Sequence, residues 1–385
     1  MRSKNLLIIS TAFPDKLNEH IGNIFIKGQI NYLKNYFEKV YVISLIPIWR
    51  ELLLRYHFRN YNWNNVQVHY LLYVYPPPSY TPICMKRLWL YIVKKAVDRL
   101  IRSEKINFNV IHAHYTWPCG AIGVELKKEF DVPVIITEHT SLTLYKAFKK
   151  RDPHYLKAWK KCDAIIRVNK KDIPLLKKFN ENVTNIPNGF DGKMFYPLNM
   201  IDCREKLNLP VDKKIILTIG MLDKVKGHQY LISAMNEILK HRQDIACYII
   251  GNGKLKDKLK KQIKTLDLSE YIHLVGGKPH EEIPLWMNAC DLFVLPSLSE
   301  GNPTVMFECL GCGKPFIGTK VGGIPEIITS EGYGFLVEPK NSKNLAEKIL
   351  IALDKKWDEK KILNYAKQFT WEEIAKDIIK VYGIK

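Results

Sequence analysis

Short, nearly uninterrupted runs of aliphatic and β-branched residues recur along the chain, separated by stretches long enough for a helix, and this alternation limits the fold more than any other feature. LLIIS (6–10), VYVISLI (40–46), VIHAH (110–114), VPVIITEH (132–139), DAIIRV (163–168) and VTNIPNG (183–189) form one series. KIILTIG (214–220), IACYIIG (245–251), IHLVG (272–276), DLFVLPS (291–297), PFIGT (315–319) and GFLVEP (334–339) form a second. A strand that is apolar at almost every position is buried on both faces, the condition of a parallel sheet flanked by helices. The stretch after KIILTIG has the matching helical period: Leu231, Ala234, Met235, Ile238 and Leu239 share one face, with Glu237, Lys240 and His241 off it. The pattern predicts an α/β protein with two Rossmann-like domains. At 385 residues and 46% hydrophobic the chain can fill two cores, whereas a single core stops growing at roughly 250–300 residues. Near residues 190 to 212 the segment FDGKMFYPLNMIDCREKLNLPVDK interrupts the rhythm with prolines and charges, and the join is expected there.

The 59 basic residues against 39 acidic ones give a net charge of +20, a field that attracts phosphates, anionic lipid or nucleic acid without choosing among them. No nucleic-acid recognition motif accompanies it, so nucleic acid is not expected as a partner. The eight cysteines are scattered, as reduced thiols in a cytosolic protein would be. Cys309 and Cys312 form a C-x-x-C with no second pair at zinc spacing, which favours buried small residues over a metal site. MRSKNLLIISTAFP opens with basic residues and a short apolar run, a first buried strand rather than a signal peptide. No run approaches the roughly 18 apolar residues that span a bilayer, so the chain is expected to be soluble or peripheral.

Ligands of open α/β sheets sit beyond the carboxyl ends of the strands, which selects the turns to inspect. In SEGNPTVMFECLGCGKP (299–315) a strand gives way to a turn and then to a helix that Pro303 can begin. The amides of Asn302, Thr304 and Val305 would face out of that helix start, an anion site reinforced by the macrodipole. Glu308 falls one turn in, where a carboxylate can accept from vicinal hydroxyls; alternatively Glu300 and Glu308 serve only to favour the helix start. In TIGMLDKVKGH (218–228) Lys226 stands beside the next helix start, a natural phosphate clamp. IIGNG (249–253) lacks the third glycine and the acidic residue of a dinucleotide fingerprint. In the first half, alternation sends His112 and His114 of VIHAHYTWP to one face, and ITEH brings Glu138 and His139 to a neighbouring strand end. Gly22 of HIGNIF (20–25) lies between the first strand and helix, where a missing side chain admits a ligand.

The order of these motifs resembles that of the retaining glycosyltransferases of family 4, the group 1 type with the GT-B architecture. GNIF at 22, VIHAHY at 110, TEH at 137, IPNGFD at 186, the Lys226–Gly227 corner, EGNPTVMFE at 300 and VGGIPEII at 321 carry the likeness over nearly the whole chain. The resemblance implies two Rossmann-like domains with parallel sheets facing across a cleft. An acceptor-side domain would span 1–190, a nucleotide-sugar domain 191–370, and a crossover helix at about 371–385 would return to the first. It implies that Glu308 binds ribose hydroxyls and that Glu300, with the amides of Gly301, Asn302, Thr304 and Val305, holds the sugar and diphosphate. Lys226 would neutralise the departing phosphate, His114 would line the sugar site, Gly22 would admit the diphosphate, and the turn at Gly277 and Lys278 would hold the base. The implied reaction is transfer from a UDP- or GDP-hexose to a saccharide or lipid-linked saccharide in surface polysaccharide or glycolipid synthesis, with retention and without a metal or other cofactor. Oriented cations and helix amides can stabilise the leaving diphosphate; Glu300 as covalent nucleophile, by analogy with retaining glycosidases, is the alternative.

Two positions depart from the family pattern. Met221 stands where an arginine is frequent, and Asn23 follows Gly22 where a second glycine is usual. A non-catalytic subunit that binds sugar nucleotide, or another enzyme on the same plan such as an epimerase, therefore remains open. MKRLWLYIVKKAVDRLIR (85–102) places Trp89, Ile92, Val93, Ala96, Val97, Leu100 and Ile101 on one stripe opposite lysines and arginines, and residues 146–171 mix lysines with aromatics. The first segment either packs on its own sheet or lies on an anionic membrane, and the second either meets anionic lipid headgroups or is an ordinary solvated face; the lipid readings imply weak association at the cytoplasmic face of the cell membrane.

Overall fold

The computed structural model describes residues 4–18, 22–49, 58–74 and 83–383. The first three residues of the opening segment, His20 and Ile21 of the first loop, the Cys84 side chain and the last two residues of the crossover segment lie outside them. The chain divides into two compact units, Met1–Pro187 with Ile374–Lys385, and Asn188–Glu373. The sequence reading put the change at 190/191 and the return near 371.

Unit 1 is built on β1 (Asn5–Thr11), β2 (Lys39–Pro47), β3 (Tyr61–Trp63), β4 (Val66–Tyr73), β5 (Val110–His114), β6 (Val134–Glu138), β7 (Ala164–Arg167) and β8 (Val183–Asn185). They form one sheet in the order β3-β4-β2-β1-β5-β6-β7-β8. All neighbours are parallel except the β3–β4 pair, which is antiparallel. Along β5, Ile111 and Ala113 enter the hydrophobic core with Leu7, Ile9 and Ile43, while His112 and His114 turn to the opposite face. On that face the returning C-terminal segment supplies Ile378 and Tyr382, both buried.

Unit 2 contains β9 (Lys214–Ile219), β10 (Ile245–Ile250), β11 (Ile272–Gly276), β12 (Leu292–Leu295), β13 (Phe316–Thr319) and β14 (Gly334–Val337). Their order is β11-β10-β9-β12-β13-β14, parallel throughout. Alternation along the strands feeds two cores: Ile215, Leu217, Phe293 and Leu295 enter one, Ile216, Leu292 and Val294 the other. That division is the physical reason these runs are apolar at almost every position.

The segment at 190–212 belongs to unit 2: Phe190, Phe195, Cys203 and Leu209 are buried in its core, and Met200–Lys206 is helical, capped by Asn199. Two expectations are corrected. The helix Ile83–Ser103 buries Trp89, Val93, Val97 and Ile101 against its sheet, yet Ile92, placed on that stripe by the sequence, is 54% exposed. In the stretch 146–171, Tyr155 and Trp159 are core residues, with the Trp159 indole donating to Thr116 Oγ1 at 2.8 Å. The described cysteines are buried and unbridged; burial raises the thiol pKa values of Cys309 and Cys312, leaving them inert as nucleophiles.

Candidate active site

In unit 2 the strand order reverses between β9 and β12, and the crevice at such a switch point is where α/β sheets take ligands. From β9 the chain passes through Met221 into a turn capped by Asp223, whose carboxylate accepts from the amides of Val225 (2.9 Å) and Lys226 (3.1 Å). Gly227 follows at φ +67, and a Cβ there would lie 2.1 Å from the carbonyl oxygen of Pro296. Only glycine lets this corner close against the end of β12. The closure brings Lys226 Nζ to 2.7 Å from Glu300 Oε1, and Ser297 Oγ donates to the same oxygen at 2.6 Å.

The Glu300 loop is braced from its other side. Gly322, at φ +55, packs so tightly that a Cβ would sit 2.1 Å from the Glu300 carbonyl oxygen. The next amide, of Gly323, donates to the Gly301 carbonyl at 2.7 Å, and Thr319 Oγ1 donates to the Ser297 carbonyl at 2.5 Å. Asn302 is buried and tied to Asn188: its side-chain oxygen accepts from the Asn188 amide at 2.9 Å, and its carbonyl accepts from Asn188 Nδ2 at 2.6 Å. Gly301, Thr304 and Val305 remain partly open. The helix begins at Thr304 with Pro303 as its cap rather than as its first residue.

Glu308 is buried within that helix, where Oε1 meets His280 Nε2 at 3.2 Å. Burial opposes a charge on His280, but the hydrogen bond and charge of Glu308, aided by Glu281 and Asp191, outweigh it and raise its pKa above the usual value. Lys278 and exposed Gly277 follow β11 as the sequence placed them, with Lys278 Nζ 3.0 Å from Glu282 and over the Trp286 ring. The structure thus joins Lys226 to Glu300 and gives Glu308 a separate partner. His280, Ser297 and Asn188 were not singled out in the sequence; their contacts span 28, 3 and 114 residues and follow no periodic pattern.

Unit 1 reverses its strand order between β1 and β5. His114, fully buried at the end of β5, places Nδ1 3.0 Å from His139 Nε2, and the two rings stack. His112 is engaged structurally, with Tyr382 Oη at 2.6 Å and Thr137 Oγ1 at 2.6 Å. Burial lowers all three imidazoles: His112 and His139 fall to about 3, and His114 lies well below the usual value, with repulsion from its two neighbours adding to burial. They are neutral at physiological pH. His114 Nε2 is buried without a hydrogen-bond partner among the described residues.

A pocket of about 280 Å³ opens at the same strand ends, lined by Asn23, Tyr115, Trp117, Glu138, Thr140 and Tyr155 among others. Glu138 is buried and accepts from the amides of Thr116 (3.1 Å) and Thr140 (3.2 Å) and from the Thr140 hydroxyl (3.1 Å). Asn23 adopts the left-handed conformation at φ 51, which asparagine tolerates better than most residues. Its amide nitrogen donates to the Thr11 carbonyl at 2.5 Å, and its oxygen accepts from the Tyr115 hydroxyl at 2.9 Å. This explains how asparagine fills the place of a glycine beside half-buried Gly22. Aromatic walls beside a carboxylate acceptor suit a polyol.

Known sequences and structures give the family and the fold. The family described as glycosyl transferases group 1 matches residues 200–369, and glycosyltransferase family 4 matches residues 40–193. An uncharacterized glycosyltransferase of Methanocaldococcus jannaschii is 31% identical over 305 residues, covering 75% of this chain and 81% of its own length. Among solved structures, the sucrose-phosphate synthase of Thermosynechococcus elongatus superposes with a TM-score of 0.79 at 22% identity, over 99% of this chain and 98% of its own. Anabaena HepE in complex with UDP-glucose gives 0.73 at 19% identity, over 99% of each chain. The architecture is GT-B.

Proposed function

The chain is a member of glycosyltransferase family 4, and from that premise we propose that it transfers a hexosyl group from a UDP- or GDP-sugar to a saccharide or lipid-linked saccharide. The proposal includes retention of anomeric configuration and independence from divalent metal. The observation that carries it is the Lys226–Glu300–Ser297 cluster at the switch point of unit 2, beside the open helix start at Thr304.

Glu308 takes the ribose hydroxyls, with His280 holding its second oxygen in place. Before the donor arrives, Lys226 and Glu300 satisfy each other, so neither charge is buried alone. A diphosphate draws the ammonium away, and the amides of Thr304 and Val305 add their donors on the same anion. Glu300 is then free to accept from sugar hydroxyls. The acceptor hydroxyl attacks the anomeric carbon on the face from which the diphosphate leaves. The carbon–oxygen bond to phosphate breaks, and the leaving phosphate oxygen takes the acceptor proton. Lys226 offsets the negative charge that develops, a role that does not call for a metal ion. In unit 1 the pocket at Glu138 receives the saccharide, and His114 Nε2 offers a neutral contact to a hydroxyl. A lipid-linked acceptor would be met at the inner face of the cell membrane, and no described helix is long and apolar enough to cross one.

A non-catalytic sugar-nucleotide-binding subunit is the second reading, and Met221 favours it, being 64% exposed where the family pattern has a phosphate-clamping arginine. Calorimetry with UDP-glucose and GDP-mannose in the presence of EDTA, on wild type, Lys226→Ala and Glu308→Ala, tests the donor site. Binding should weaken at least about ten-fold in each variant. Binding that survives both substitutions, or that needs a divalent ion, refutes the proposal. Tight binding with no sugar transferred to any acceptor supports the second reading.

A further inference from the structure

We propose that the solvent face of the helix Ile83–Ser103 docks unit 1 on an anionic lipid bilayer. The helix buries one face completely, yet a second face keeps large apolar side chains in water: Met85 is 49%, Leu88 61%, Tyr91 56% and Ile92 54% exposed. Such residues are individually unremarked on a surface, but four within two turns are not scattered.

Charge supplies the partner. Met85, Leu88, Ile92, Lys95, Arg99 and Arg102 follow one another at alternating steps of three and four, so they lie along one line of the helix surface. The line is apolar in its first turns and basic in its last. Lys95 lies 4.7 Å over the Tyr91 ring, binding the two halves together. Beside the line runs a groove of about 850 Å³ whose rim includes Arg87, Lys95, Lys128 and Lys157. Glu125 pairs with Lys128 at 3.1 Å and Lys157 at 2.5 Å, Glu129 pairs with Lys94, and Asp98 pairs with Arg102 at 3.1 Å, so the excess cations are Arg87, Lys95 and Arg99, which have no carboxylate partner among the described residues. The face therefore presents apolar side chains and an excess of cations in one plane about 26 Å long. A sheet of lipid phosphates over acyl chains matches both halves, since aliphatic residues enter the interface while lysine and arginine reach headgroups. This docking goes beyond the donor chemistry proposed above and does not depend on it.

The test is flotation with phosphatidylcholine vesicles and with the same vesicles containing phosphatidylglycerol. Wild type is expected to bind only the anionic vesicles and to lose binding as salt rises. Lys95→Gln with Arg99→Gln should weaken binding about thirty-fold, at roughly five-fold per basic residue near an anionic surface. Leu88→Ser with Ile92→Ser should weaken it about ten-fold. All four side chains are exposed, so Tm should not move; should the serine pair lower Tm, the charge pair decides alone. Binding equal on neutral vesicles, absent on anionic ones, or unchanged in the charge pair would overturn the proposal. So would sedimentation showing that the serine pair dissociates a dimer, which would make the face an interface between copies.

Discussion

Gly322→Ala is the substitution that most directly tests how the glutamate loop is held. The new Cβ would lie 2.1 Å from the Glu300 carbonyl oxygen and 2.9 Å from that of Gly301, whereas ordinary contact begins at 3.4 Å. Both neighbours are backbone, so no side chain can swing aside, and the loop must retreat by about 1 Å or more. Alanine at φ +55 adds about 1–2 kcal/mol of left-handed strain. The hydrogen bond from Gly323 to Gly301 would lengthen and forfeit about 1 kcal/mol. The total of about 2–3 kcal/mol should lower the Tm of unit 2 by roughly 4–12 °C in calorimetry. Because Glu300 and the helix amides move together, donor turnover should fall by about 10²-fold, measured as kcat/KM for release of nucleoside diphosphate. A variant with wild-type Tm would refute the packing argument. One that loses stability yet turns over donor normally would show that the position of this loop does not govern the reaction.

Other outcomes follow from the same geometry. His280 has its pKa raised by Glu308, so its contribution to stability is complete below its unfolded value near 6.5 and is lost as pH rises through the folded one. The Tm advantage of wild type over His280→Gln should therefore shrink as pH is raised above about 6.5. His112 and His139 are held near 3 by burial; the unfolded chain takes up their protons first, so unit 1 should lose stability as pH falls below about 6.5. Each should cost roughly 1 kcal/mol per pH unit, and an acid titration by circular dichroism with flat stability from neutral pH to about 4 would refute their burial as neutral rings. Met221→Arg, at an exposed strand end, should tighten UDP binding about ten-fold if the strand end faces the diphosphate; unchanged calorimetry would place the diphosphate elsewhere.

The strands of both sheets could be read largely from sequence because double-sided burial leaves few polar positions to confuse the period. The exceptions are β3, only three residues long, and β4, VQVHYLLY, where Gln67 and His69 break the apolar run and β3 pairs with only three residues of one edge. β4 offers alternation rather than a continuous apolar run. Ile92 failed differently: it stands at the edge of the buried stripe of its helix, where a helical wheel assigns either side. In the site, Lys226 and Glu300 could be picked by residue type and by their place after strands, but their contact is set by two glycines that a Cβ would obstruct at 2.1 Å. Local sequence shows the glycines without showing what they are close to. The Asn188–Asn302 brace and the His280–Glu308 bond are products of tertiary packing, with no local pattern to announce them.

The bond between His112 and Tyr382 also has a consequence for how the protein is made. Unit 1 leaves the ribosome first, yet part of one face of its sheet, at His112, is closed by the C-terminal residues 374–383. At about 5–20 residues per second, Asn188–Glu373 occupies translation for roughly 10–40 s. Throughout that interval the nascent domain presents an open apolar flank, while the second, contiguous one is free to mature on emergence. Chaperone binding during synthesis should accordingly concentrate on the half that was started earlier and finished last.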